Sequence, residues 1–332
     1  MLFRSPNQLG AWDLGLLPGH LPGMIPLSDS KAQEQLSEAW SMAAPQSQSA
    51  DFNEMVELCS AGEMDALYIV GADPLLSYPD REKLEHAFSK LRLLVVQDGF
   101  FSSTAQYADI LLPATIHGEC GGSFTNNEGR VQLAKPFHKS PEGIKTDNEL
   151  FGWMAENLGV DLGSMEPETL FAEICRLVPG YQLLGNDVAN TACKFTAEIP
   201  AQSKIKLFCP EITPQDTLEG FMLITGNCRS HSGHLSEKSK TLNTIQDQAY
   251  LTLNTQDAEV LDIHPDDPVL VKANGHELTV PARLDKQYPR GLLFIPNNFT
   301  DVPLNRLFKQ GQYPCPAEIE KARCFDKEAR WN

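Results

Sequence analysis

Apolar positions recur with two different periods along this chain, and the change of period divides it. In the first half, Ala66 to Val70 and Leu91 to Val96 are short apolar runs. The first stops at Gly71-Ala72-Asp73-Pro74 and the second at Asp98-Gly99. Between them, Asp80 to Lys90 places Leu84, Ala87 and Phe88 at helical spacing, continued by Leu91. Strand, helix and strand within about thirty residues form a βαβ unit, so the two strands are predicted to be parallel. Ile110 to Leu112, stopped by Pro113, supplies a third strand.

The first 27 residues carry Gly10, Gly15, Gly19 and Gly23 among prolines and show no period, which predicts an extended segment. Ser28 to Met42 reads as a short helix and Ala43 to Ala50 as a linker. Asp51-x-x-Glu54 is a capping box opening a helix that ends at Gly62. Beyond the third strand lies a glycine-rich polar loop. Two helices follow, Asn148 to Leu158 with Gly159 at its C-cap, and Glu166 to Val178 with Pro167 in its first turn.

From Phe221 the period becomes two. Strands are expected at Phe221–Thr225, Tyr250–Asn254, Pro268–Ala273, Glu277–Leu284 and Leu292–Pro296, with one short helix at Gln256–Leu261. Asn274-Gly275 between two of them is a strong hairpin signal. Many short strands with one helix predict a small barrel. The resulting division is an extended segment, 1–27; an α/β domain, 28–180; a connection, 181–219; and a β-rich domain, 220–332.

Composition narrows the function classes. A length of 332 residues suits two domains, each with a buried core. The formal net charge of −17 argues against a nucleic-acid partner, since phosphate binding needs clustered Lys and Arg. No window reaches the roughly 18 apolar residues of a membrane span, and the N-terminus lacks the apolar core of a secretory signal. A membrane is then reached only through partners. The eight cysteines are scattered without a Cys-x-x-Cys, so the usual close-spaced thiolates of an iron–sulfur site are missing; reduced, buried thiols are expected.

The most specific stretch is Ala108-Asp109-Ile110-Leu111-Leu112-Pro113, followed by Glu119-Cys120-Gly121-Gly122-Ser123-Phe124-Thr125-Asn126-Asn127-Glu128-Gly129-Arg130-Val131-Gln132. On residues alone, this loop is a possible ligand rim. Its order resembles the "ADxxLP … GTFTNxEGRVQ" pattern of the molybdopterin oxidoreductase superfamily. Further matches occur in the expected order: Asn7-x-x-Gly10-Ala11-x-Asp13, Asp65 to Pro74, Val95 to Asp98, Thr225-Gly226, Leu253-Asn254-x-x-Asp257-Ala258, and Pro296-Asn297-Asn298. Glu128-Gly129-Arg130 resembles the large (G) subunit of respiratory NADH-quinone oxidoreductase (complex I) more than the formate dehydrogenases, which tend toward "ERRVQ".

The resemblance implies a parallel-sheet, Rossmann-like domain followed by a double-psi β-barrel. It also implies that the chain begins where the family's middle begins, without the cysteine-rich iron–sulfur portion. The expectation is therefore a structural module of the complex I large-subunit type, with no redox centre or cofactor of its own. Its partners would be other subunits of a respiratory oxidoreductase, including an iron–sulfur N-terminal portion. It would be cytoplasmic, peripheral to the inner membrane through those subunits. The alternative is the molybdopterin guanine dinucleotide-binding part of a formate dehydrogenase-like enzyme. A vestigial pterin dinucleotide site would then comprise Gly71, Asp73, Asp98, Thr225, Gly226, His231, His234 and Asn298, with no catalytic residue and no metal. Phe101-Ser102-Ser103-Thr104, where "TET" is common, and His264-Pro265-Asp266-Asp267, which lacks the family glycine, depart from the pattern.

Read as residues, these positions leave alternatives open. Asp73 and Asp98 follow the C-terminal ends of parallel strands, where ligands bind and a carboxylate can accept the paired N–H groups of a guanine. They are equally turn or cap residues. Cys228-x-x-His231-x-x-His234 has metal-ligand spacing but no evident fourth ligand, so a polar loop competes with a metal or pterin contact. Glu119 and Glu128 with Arg130 can be acid–base groups or intraloop ion pairs. Gly71-Ala72-Asp73-Pro74 is not a dinucleotide fingerprint, because no glycine trio opens the helix.

Overall fold

The computed structural model describes residues 7–45, 50–181, 193–194, 220–231 and 233–322. The expected connection, 181–219, lies almost wholly outside the described residues, as does the chain beyond Ala322.

The segment that lacks a period is not simply extended. Gln8–Asp13 forms a helical turn and a half (α1), and His20–Leu21 (β1) pairs with Ile25–Pro26 (β2) in a small antiparallel hairpin. Leu21 is only 2% exposed and packs with Ile25, Leu27, Ala32 and Leu36. Ala32 and Leu36 lie on α2 (Ser30–Trp40), which is capped by the Asp29 carboxylate accepting from the Ala32 amide. Glycines at positive φ, Gly15 and Gly19 among them, make the reversals that conceal the hairpin from periodicity.

The α/β unit follows its pattern closely. α3 (Phe52–Ala61) opens with the Asp51–Glu54 capping box and ends at Gly62 in the left-handed region. β3 (Ala66–Val70) leads through the short α4 (Pro74–Ser77) and α5 (Arg81–Lys90) to β4 (Leu93–Asp98), and β5 (Ile110–Pro113) completes the sheet. All three strands are parallel in the order β3-β4-β5, with Ile69 opposite Val96 and Val96 opposite Leu111. One face buries Ile69, Leu94 and Val96 against Leu84, Ala87 and Phe88 of α5 and Val56 and Cys59 of α3.

The glycine-rich loop is a hairpin. β6 (Gly122–Thr125) pairs antiparallel with β7 (Arg130–Ala134). Its turn is set by the Asn126 side chain, which accepts from the amides of Glu128 and Arg130 at 2.9 and 3.0 Å. Polar composition masks the alternation here, because the buried residue of β6 is Thr125, opposite Val131, which packs with Phe171, Cys175 and Val178. Asn7 Oδ1 accepts from the Thr125 amide at 2.8 Å. The Tyr181 hydroxyl donates to Asp13 Oδ2 at 3.1 Å and meets Thr125 Oγ1 at 2.6 Å. The two stretches Asn7–Asp13 and Gly122–Arg130 are therefore one structural feature.

α6 (Asp147–Asn157), with its own capping box at Thr146, and α7 (Pro167–Leu177) follow. β8 (Cys193–Lys194) adds a third strand beside β7. The last unit contains β9 (Phe221–Gly226), α8 (Lys240–Asn243), β10 (Leu251–Asn254), α9 (Thr255–Val260), β11 (Pro268–Ala273), β12 (His276–Asp285), β13 (Leu292–Pro296) and β14 (Cys315–Lys321). Its strands close into a barrel in the order β10-β12-β11-β14-β9-β13. β10 with β12 and β13 with β9 are parallel, and the remaining neighbours are antiparallel. Leu223, Leu251, Leu253, Val269, Val271, Leu293 and Ile295 are each fully buried inside it. Asn274-Gly275 makes the expected hairpin, with both residues at positive φ. β14 is an addition to the expected strands: Cys315, Ala317 and Ile319 alternate inward, but Pro314 and Pro316 read as breakers.

The barrel docks on the α/β unit through the segment after β13. Asn305 Nδ2 donates to the carbonyls of Leu75 and Tyr78 at 2.8 and 2.7 Å, and the Asp80 amide donates back to the Phe308 carbonyl at 2.7 Å. Arg306 approaches Glu85 and His276 approaches Glu82 across the same seam.

Candidate functional site

The C-terminal edge of the parallel sheet faces the barrel across a cleft of about 440 Å³. Asp98 ends β4, Asp73, Phe100 and Phe101 come from the loops after β3 and β4, and Lys238 and Thr300 from barrel loops. This is the sheet edge at which open α/β folds place ligands.

Asp73 lines that cleft, but its carboxylate is engaged within the protein. It is 5% exposed, and Oδ2 accepts from the Ser103 amide at 2.9 Å. Oδ1 accepts from the Thr104 amide and the Thr104 hydroxyl at 3.0 and 2.7 Å. Thr104 Oγ1 in turn accepts from the Leu75 amide at 3.2 Å. The loops after β3 and β4 are thereby joined, and this junction fixes the loop that carries Phe101, itself 67% exposed. Asp98 uses Oδ1 for the Phe100 amide at 3.1 Å, an Asx-type turn. Gly71, at φ +60 and with open space where a Cβ would stand, ends β3 at the surface.

The cleft wall also contains Arg81, whose Nε donates to Glu85 at 2.7 Å. Burial pushes the Glu85 carboxyl up, but the hydrogen bond and charge of Arg81, with Arg306 beyond, hold it below its ordinary value. Glu237 on the barrel side accepts from both the amide and the hydroxyl of Thr300.

The barrel residues lie apart from Asp73. Thr225 Oγ1 donates to the Ile295 carbonyl at 2.8 Å, while the Tyr313 hydroxyl meets both the Thr225 amide and its carbonyl. Gly226 ends β9, its carbonyl accepting from the Asn297 amide at 3.0 Å. Thr225, Asn297 and Tyr313 line a second, smaller and more apolar cavity of about 240 Å³, shared with Leu76, Leu304 and Phe308. His231 is fully buried; Nε2 donates to the Gln246 carbonyl at 2.8 Å, Nδ1 lies 3.0 Å from Ser236 Oγ, and its ring stands edge-on to Phe299. His234 begins a short turn (His234–Lys238), but its side chain lies outside what is described. Cys228 Sγ donates to Asn298 Oδ1 at 3.6 Å. Among the described residues, no cluster of three His, Cys, Asp or Glu side chains can hold a metal ion. Asn298 is 1% exposed and its Nδ2 has no partner among the described residues.

The structure thus brings Asp73 and Asp98 to one cleft, places Thr225 on another cavity, and encloses His231 and Asn298 between barrel loops. Sequence reasoning missed Arg81, Lys238 and Thr300 as lining groups. Phe101-Ser102-Ser103-Thr104 stands out in the sequence as a departure from the family pattern, but nothing there points to Lys238. Glu119, Glu128 and Arg130 stay local: Glu119 accepts from the Ile116 amide at 3.0 Å, and Glu128 stands 3.9 Å from Arg130.

A pterin dinucleotide needs free acceptors for its guanine and donors for its pyrophosphate. Asp73 and Thr225 spend their side-chain bonds within the protein, as does His231, so they do not fit as its ligand set. Asn298 Nδ2 and, on the cleft, Asp98 Oδ2 are the exceptions among the described residues.

Residues 24–157 match the molybdopterin oxidoreductase family and residues 221–324 the molydopterin dinucleotide binding domain. The G 2 subunit of the NADH-quinone oxidoreductase of Rhizobium meliloti (strain 1021) is 40% identical over 320 residues, which are 96% of this chain and 37% of that protein. The alpha subunit of F420-dependent formate dehydrogenase 1 of Methanococcus maripaludis is 28% identical over 352 residues, with 95% of this chain and 51% of the relative covered. The chain therefore spans between a third and about half of these relatives. Acetylene hydratase from Pelobacter acetylenicus shares the fold at a TM-score of 0.56 and 14% identity, covering 81% of this chain and 46% of that one. No described helix is long and apolar enough to cross a membrane.

Proposed function

The chain belongs to the molybdopterin oxidoreductase family, and on that premise we propose that it is a structural module of an NADH-quinone oxidoreductase large-subunit-like protein, without a redox centre of its own. It supports electron transfer by holding other subunits, an iron–sulfur portion among them, in a cytoplasmic arm peripheral to the membrane. The observation that carries this reading is the state of Asp73. A carboxylate at the ligand edge of the sheet has become the keystone between two loops, with three hydrogen bonds to its own chain. His231 supports the same reading, since its ring nitrogens both face groups of its own loop.

The chemistry left to such a module is positional. Its fixed loops, barrel and seam present surfaces, and no proton or electron is handled at a reacting atom. The test is the pterin and metal content of the protein purified from its native host. Oxidative release of pterin as a fluorescent derivative, with elemental analysis, should give no stoichiometric pterin or molybdenum, and no iron once the chain is separated from its partners. One pterin per chain would overturn the reading.

A second reading, a guanine dinucleotide-binding part of a formate dehydrogenase-like enzyme, is favoured by one observation. The Asn298 amide, buried and lacking a partner for Nδ2 among the described residues, is a donor that a bound group would satisfy. Under this reading, Asn298→Ala lowers pterin content. Under the structural reading there is none to lower.

A further inference from the structure

The cavity of about 240 Å³ on the seam takes its lining from both units. Leu76 and Pro79 come from α4 and the bend after it, and Val302, Leu304 and Phe308 from the segment that follows β13. Leu76, Leu304 and Phe308 are buried, so the depth of the cavity is apolar. The Phe308 ring lies 6.1 Å from that of Tyr313 at a tilt of 34°, which gives the cavity an aromatic wall. Lys309 and Tyr313 are exposed and form its rim.

One buried polar atom of this lining is left over. Asn305 is 8% exposed, and its Nδ2 donates to the carbonyls of Leu75 and Tyr78. Two carbonyl partners require the NH₂ end, so the amide orientation is fixed and the remaining atom is the acceptor Oδ1. Oδ1 is buried and has no partner among the described residues. A buried acceptor without a donor costs free energy that an N–H or O–H of a ligand recovers. Thr225, Ser77 and Tyr313, by contrast, spend their hydroxyls on the carbonyls of Ile295, Asp73 and Thr225. Among the lining residues, Lys309 carries the one charge.

An apolar depth, an aromatic wall, one buried acceptor and one cation at the rim together specify a ligand. At about 240 Å³, the space falls below the roughly 300 Å³ at which pockets for drug-sized ligands begin, so it suits a single ring. We propose that this cavity binds a small aromatic acid with a hydrogen-bond donor opposite its carboxylate. The donor meets Asn305 Oδ1, the ring lies against Phe308, and the carboxylate faces Lys309. None of Asp73, Asp98, His231 and Asn298 lines this cavity, so the site is separate from the cleft at the sheet edge. Asn305 also bridges the two units, so a ligand held on it stiffens the seam. Occupancy is read independently of the pterin assay, and its failure would leave the structural-module reading intact.

The experiment titrates the full chain with 4-hydroxyphenylacetate by calorimetry, with phenylacetate, which lacks the donor, as the comparison. The hydroxyl compound should bind at one site per chain with a Kd below about 1 mM. Phenylacetate should bind at least about tenfold more weakly, because it leaves the Asn305 acceptor unsatisfied. Lys309→Glu, at an exposed position, should weaken binding of 4-hydroxyphenylacetate about fivefold. Lys238→Glu, the same change of charge on the other cleft, should leave it unaltered. Saturating ligand should raise the melting temperature, since it binds the folded state, and should slow hydrogen exchange at the amides of residues 304–308. Absence of saturable binding, equal affinity for the two compounds, or indifference to Lys309→Glu would overturn the proposal. So would loss of binding in Lys238→Glu, because the ligand would then occupy the sheet-edge cleft.

Discussion

Asp73 shows how one side chain can exchange a ligand for its own backbone. Its carboxylate satisfies two amides and a hydroxyl that are otherwise buried without acceptors. Asp73→Ala should therefore destabilise the chain by about 3 kcal/mol, since hydrogen bonds to a charged acceptor contribute more than neutral ones and the abandoned donors stay buried. Urea unfolding measures this; a loss below about 1 kcal/mol would mean that the loop reorganises freely. Asp13 works with the opposite sign. Burial pushes its carboxyl above the ordinary value of 3.8, against the lowering effect of the Tyr181 hydrogen bond. The folded state thus holds this proton more tightly than the unfolded one. The stability it contributes is complete below 3.8 and is lost as pH rises through the raised value. Asp13→Asn should remove that part of the pH dependence. Melting temperatures of the two proteins should converge at acidic pH, with the variant gaining on the parent as pH rises through that window. Parallel melting curves at every pH would refute the assignment. Burial likewise pushes the Cys59 and Cys315 thiols up, consistent with inert, reduced packing residues.

At the scale of elements, the small β1–β2 hairpin matters more than its composition implies. Leu21 seals a cluster with α2, and its near-complete burial predicts a loss of about 3 kcal/mol for Leu21→Ala. Chemical denaturation checks this, and an unchanged midpoint would show that the segment is peripheral. Strands and helices with an unbroken period were legible: β3, β11 and β13 have the expected bounds, and α3, α5, α6, α7 and α9 differ only at their ends. The β6–β7 hairpin, α1 and β14 were not. Each is held by contacts with distant residues: Thr125 by Asn7 and Tyr181, and β14 by its pairing to β9 and β11. Local pattern carries no record of such partners.

For the whole molecule, the seam between the α/β unit and the barrel is tied by a few polar contacts beside apolar side chains of both units. Asn305 bridges it with two hydrogen bonds to the carbonyls of Leu75 and Tyr78, and Arg306 and Glu85 add an ion pair at 3.6 Å. The two cores are separate clusters, so their cooperativity depends on this junction. Asn305→Ala should cost about 2 kcal/mol of coupling and resolve calorimetric unfolding into two transitions. A single transition in the variant would show that other contacts suffice. By itself, the sequence determined the parallel βαβ order, the barrel's strand period, the Asn274-Gly275 turn and the family, because each depends on neighbours close in the chain or on ordered motifs. The use of Asp73, His231 and Thr225 was decided only by tertiary structure. The same carboxylate, imidazole or hydroxyl serves a ligand or its own backbone according to which donors and acceptors the fold brings within about 3 Å, and those groups lie on other loops and strands.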